Sequence, residues 1–107
     1  MRLEIQFVNE KVKKAFEELA ESDEKDLKKF IERAFDDIRE NPFCGIQIPR
    51  KRIPRDYLNK FNIKNVWKYN LPGAWRLLYS LENNQLCVIS IILEWMDHKN
   101  YERRFSY

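Results

Sequence analysis

Histidine occurs once in this chain, at position 98. An imidazole, which ordinarily titrates at about 6.5, is the side chain best suited to moving protons near neutral pH. Tyr101 follows it by three residues and is a candidate to hold a base or a phosphate, or to share in proton transfer. Arg76 stands inside the apolar run Trp75-Arg76-Leu77-Leu78-Tyr79. A guanidinium is permanently charged and can grip a phosphate through two parallel hydrogen bonds. The densest positive cluster is Pro49-Arg50-Lys51-Arg52-Ile53-Pro54-Arg55, and Lys68 is a further candidate phosphate contact. Together these residues suit proton transfer beside a bound phosphate. Each also has a plainer reading. Arg76 can pair with a carboxylate such as Glu94 or lie exposed at a sheet edge, a lone His98 can be structural, and Tyr101 can simply pack the tail. The basic run can be a solvated loop or a contact for an acidic protein.

The charge distribution points to an anionic partner. Residues 1–40 carry 9 Lys+Arg against 12 Asp+Glu, whereas residues 41–107 carry 11 against 5, so a net charge of +3 conceals a basic C-terminal part. Such asymmetry suits nucleic acid or an acidic protein. Cys44 and Cys87 form no CxxC pair and have no usual ligand spacing to His98, so no metal is expected and both read as buried, reduced thiols. No cofactor is expected. No apolar run approaches the roughly 20 residues of a membrane span. The opening Met1-Arg2-Leu3-Glu4 places charge where a signal peptide would be apolar, so a cytoplasmic location without membrane partners is expected.

With 107 residues the chain is expected to form one domain. Leu3-Glu4-Ile5-Gln6-Phe7 alternates as a half-buried strand. Asn9 suits a helix cap, and Val12, Ala15, Phe16, Leu19 and Ala20 follow at helical spacing. Ser22 and Asp23 offer a break and a new cap. Leu27, Phe30, Ile31, Ala34, Phe35 and Ile38 then predict a longer amphipathic helix, ended by Asn41-Pro42. Residues 42–64 read as irregular, with a short helical turn at Asp56–Phe61. Val66–Tyr69, Trp75–Leu81 and Leu86–Leu93 predict three strands, joined by Leu71-Pro72-Gly73 and by a hairpin at Asn83-Asn84. The third strand is nearly all apolar and should be central, with the N-terminal strand beside it. The tail at 97–107 has the makings of one helical turn. The expected architecture is α+β: a strand and a two-helix hairpin, packed on an antiparallel sheet completed by a three-stranded C-terminal meander.

The order of these elements and the block from Val66 to Tyr101 resemble the RelE/ParE toxin superfamily. The resemblance rests on Val66-Trp67-Lys68-Tyr69, Trp75-Arg76-Leu77-Leu78-Tyr79, Asn83-Asn84, the apolar strand Val88 to Leu93, and His98-Lys99-Asn100-Tyr101. In many members the last tyrosine lies five residues after the histidine, whereas here Tyr101 lies three after His98. Lys99 stands where arginine is common.

The resemblance implies the toxin of a toxin–antitoxin pair, silenced by an acidic antitoxin and cutting messenger RNA on the ribosome. Members of the ParE branch poison DNA gyrase instead, and some members have no demonstrated activity. For a nuclease, metal-independent attack by the ribose 2′-OH needs a base, a cation for the phosphorane-like transition state, and groups that hold the strand in line. The implied assignments are Arg76 as the cation, His98 as acid or base and Tyr101 beside them. Arg50, Lys51, Arg52, Arg55 and Lys68 would bind RNA. Glu94 reads as an orienting group, Arg103 and Arg104 as phosphate contacts or a mobile tail, and Trp67, Trp75 and Trp95 as core or partner-groove residues.

Overall fold

The computed structural model describes residues 2–83 and 87–106. The elements run β1 (Arg2–Phe7), α1 (Glu10–Glu18), α2 (Lys25–Glu40), β2 (Ile46–Gln47), α3 (Arg55–Phe61), β3 (Trp67–Leu71), β4 (Trp75–Asn83), β5 (Cys87–Asp97) and α4 (His98–Arg104). Single 3-10 turns occupy Leu19–Glu21, Arg50–Arg52 and Pro72–Ala74. The sheet order is β1-β5-β4-β3-β2. β1 does lie beside β5, but it pairs with it in parallel, so the sheet is mixed rather than antiparallel as the strand pattern suggested. A chain that leaves β1 through an α-hairpin and re-enters the sheet at its far edge is not bound to the antiparallel return that a tight hairpin enforces.

Local chemistry explains the helices. Asn9 caps α1, its side chain accepting from Val12 N at 2.9 Å. α2 buries Leu27, Ile31, Ala34, Phe35 and Ile38, the stripe that helical spacing predicts. These side chains meet Leu71, Leu77, Tyr79 and Ile92 on one face of the sheet. Full burial of each aliphatic side chain is worth about 1.5–3 kcal/mol, so this face fixes where the α-hairpin sits. α1 buries no residue completely, and its Phe16 ring rests on those of Phe7, Phe35 and Trp95.

The opposite face has a core of its own. Ile48, Ile53, Tyr57 and Ile63, from a stretch that reads as irregular, pack with Val66, Leu78, Leu93, Met96, Tyr101 and Phe105. The stretch condenses because its apolar residues bury against a sheet face that α1 and α2 cannot reach. The tail likewise forms α4, about two turns rather than one.

Alternation along β4 sends Leu77 and Tyr79 to the first core and Leu78 to the second, so Arg76 lies on the second face. In β5 the alternation breaks. Leu78 pairs with Glu94 and Tyr79 with Ile92, leaving Leu93 as an extra residue. This bulge puts Leu93 and Glu94 on the same face in succession. Gly45 sits where a Cβ would come within 2.6 Å of both Lys68 O and the Tyr79 hydroxyl. Only glycine allows β2 that close to β3.

Cys87 is buried, but Cys44 is exposed rather than buried, because it follows α2 on the outer connection to β2. Asn83 ends β4. The rest of the expected Asn83-Asn84 turn, and Leu86, lie outside the described residues.

Candidate active site

Arg76, His98 and Tyr101 converge. Asp97 caps α4 by accepting from Asn100 N at 2.9 Å, which makes His98 the first residue of the helix. A spacing of three residues is about one helical turn, so His98 and Tyr101 point the same way, towards β4. Arg76 Nη2 lies 3.2 Å from His98 Nδ1, and its guanidinium carbon lies 6.0 Å from the centre of the Tyr101 ring. Lys68 pairs with Leu78 in the β3–β4 register, which brings it to the same face as Arg76. Its Nζ lies 4.9 Å from the centre of the same ring. Tyr101 is only 3% exposed and stacks on Phe105 with ring centres 4.9 Å apart, so its ring forms a rigid floor beneath two cations.

The electrostatics of Arg76 are unusual. Nη1 donates to the carbonyl of Trp75 at 3.1 Å. Nε is buried and has no hydrogen-bond partner among the described residues. Among those residues no carboxylate lies within ion-pair range of Arg76. A half-buried guanidinium without a carboxylate is a place for an anion from outside. His98 is about half exposed, and its Nε2 meets the carboxylate of Glu102.

Glu94 does not serve Arg76. Arg104 Nε donates to it at 3.2 Å, and the Tyr57 hydroxyl donates to the same oxygen. Arg104 Nη2 also donates to Asp56 at 2.6 Å. This hydrogen bond is the main reason the Asp56 carboxyl is held below its ordinary range. Burial, and then the charge of Glu94, push the Tyr57 hydroxyl well above its ordinary value. Arg104 is thus fixed in a helix rather than part of a mobile tail. It ties α4 to α3 and β5 and so locates His98 and Tyr101. Arg103 is exposed.

The basic run forms the 3-10 turn and the start of α3. Ile48 and Ile53, on either side of the turn, anchor in the second core, so the run borders the Arg76 face. Arg50, Lys51 and Arg55 are exposed and make no hydrogen bond or ion pair with the cluster among the described residues. The Arg52 guanidinium donates to the carbonyl of Ser106, tying the turn to the segment after α4. The three tryptophans pack on the other face: Trp67 against Tyr79, Trp95 against Phe16, and Trp75 at the margin of the first core. The sequence alone does not single out Glu102 or the Arg104 network. For Glu102 the signal is its position four residues after His98, which is a helix-neighbour spacing once α4 exists.

Among the described residues no helix is long and apolar enough to cross a membrane, and no group of three or more His, Cys, Asp or Glu side chains could hold a metal ion. No family model, curated protein or solved structure matches the chain.

Proposed function

We propose that this chain is a RelE/ParE-type toxin that cleaves messenger RNA and is silenced by an acidic antitoxin. The observation that carries the reading is the meeting of Arg76 and His98 above Tyr101, with Lys68 over the same ring and no carboxylate on Arg76. The order of strand, α-hairpin, basic segment and meander supports it, as does the N-terminal strand lying against the last strand.

In this reading a backbone phosphate binds at Arg76 and Lys68. His98 takes the proton of the 2′-OH and the 2′-oxygen attacks phosphorus. The bond to the 5′-oxygen breaks, and that oxygen takes a proton from solvent. The products are a 2′,3′-cyclic phosphate and a 5′-OH. A positioned base contributes about 10²–10⁴-fold, and a donor aimed at the developing charge about 10²–10³-fold. Arg50, Lys51, Arg52 and Arg55 would track neighbouring phosphates, and the acidic antitoxin would compete for the same positive surface.

The test is primer extension on messenger RNA after brief induction in a host lacking the antitoxin, with Arg76→Ala and His98→Ala in parallel. New 5′ ends inside coding regions, lost in both variants, are expected. Growth arrest with intact transcripts would overturn the nuclease reading and direct attention to DNA gyrase, where pulse labelling would show DNA synthesis failing before translation.

A further inference from the structure

The contact between Arg76 and His98 fixes a proton as well as a distance. A guanidinium only donates, so the Nδ1 that faces Arg76 Nη2 at 3.2 Å is an acceptor and carries no hydrogen. The other ring nitrogen, Nε2, faces the Glu102 carboxylate, which accepts, so a neutral ring in this arrangement carries its hydrogen on Nε2. An imidazolium would instead turn an N–H against the guanidinium. The chain of donors therefore runs one way, from Arg76 through His98 to Glu102.

We propose that Glu102 is a positioning residue that holds His98 as its Nε2–H tautomer, and that Arg76 covers the Nδ1 lone pair until a phosphodiester draws the guanidinium onto itself. This rests on the ribonucleolytic reading and adds a control to it: the base is uncovered only where a phosphate is bound. The exchange favours the anion, because a charge-assisted hydrogen bond to phosphate is roughly twice as strong as one to a neutral acceptor. It needs little movement, because Nη1 stays on the Trp75 carbonyl while Nη2 changes partner. About half of the His98 side chain is open to solvent, so a 2′-OH can approach the ring once Arg76 has moved off Nδ1. When Nδ1 takes that proton the ring becomes an imidazolium, and the Glu102 carboxylate stabilises it. The proton returns to solvent once the 5′-oxygen has been protonated, so the cleavage is proton-neutral.

The single histidine makes the test direct, since the imidazole nitrogen signals of the ¹⁵N-labelled chain can come only from His98. A bare Nδ1 and a protonated Nε2 are expected in the wild type. Glu102→Gln, whose carbonyl still accepts from Nε2, should retain that state, and Glu102→Ala should mix the tautomers. A DNA dinucleotide, which has a phosphodiester but no 2′-OH, should shift the Nδ1 signal of the wild type but not that of Arg76→Ala. On RNA, Glu102→Ala should lower kcat by about tenfold or more with KM little changed, a smaller loss than where such a pair is buried. A protonated Nδ1 in the wild type, or an unchanged tautomer in Glu102→Ala, would overturn the proposal. Messenger RNA left uncut by the wild type both free and on ribosomes would overturn the nuclease reading alone, while the nitrogen signals would still decide the roles of Glu102 and Arg76.

Discussion

Arg104→Met separates the strut from the site it supports. Methionine keeps most of the aliphatic stem but removes the guanidinium from Asp56 and Glu94. The Asp56 partner is 40% exposed at its side chain, so that bond at 2.6 Å counts as a surface pair, at most about 1 kcal/mol. Glu94 is 31% exposed and lies 3.2 Å away, and one charged hydrogen bond of this kind contributes about 1.5 kcal/mol before screening. With screening the sum is about 2 kcal/mol, which for a chain of this length lowers Tm by roughly 8–12 °C. α4 has seven residues, too few to persist as a helix alone, so loosening it also carries His98 and Tyr101 away from Arg76. The assay is thermal unfolding followed by circular dichroism from neutral to acid pH, with RNA cleavage measured well below Tm. The Asp56 carboxyl is lowered in the folded chain, so its stabilisation is complete above the ordinary carboxylate range, about pH 4, and fades as pH falls through the lowered value. The gap between wild type and variant should therefore narrow in acid. A loss of Tm near zero, or a gap that stays constant into strong acid, would refute the strut.

Three further outcomes can be checked. Arg76→Ala should cut RNA cleavage by about 10²–10³-fold with an unchanged circular dichroism spectrum, and Arg76→Lys should not restore it, because an ammonium lacks the planar fork; full toxicity in either folded variant would exclude the clamp. Gly45→Ala should cost about 2–3 kcal/mol in urea unfolding, since its Cβ would meet a backbone carbonyl and the Tyr79 hydroxyl at 2.6 Å, and the added methyl must displace β2. The Cys44 thiol is pushed up chiefly by burial of its sulfur although the residue is exposed, so it should react with a disulfide reagent more slowly than the unfolded chain, and catch up only above the ordinary thiol range.

Some of this was decided by the sequence alone. The stripe Leu27-Ile31-Ala34-Phe35-Ile38 defines α2, the Asn9 cap starts α1, and the apolar run in β5 makes that strand central, because period and capping are read within a few residues. The chemistry of Arg76 and His98 was visible from residue type. Tertiary structure decided what lies beyond that range. The parallel pairing of β1 depends on how the α-hairpin crosses the sheet. The bulge at Leu93 turns Glu94 to the second face only because β4 sets the register. Arg104 finds Asp56 across 48 positions of sequence, and no local pattern encodes such a partner. The spacing of His98 and Tyr101, which departs from the pattern the chain resembles, places both towards Arg76 because helix α4 forms there. It forms because Tyr101 and Phe105 bury against a core assembled from residues 48–66. Side-chain type sets which protons and charges are available; burial of distant apolar residues sets which of them meet.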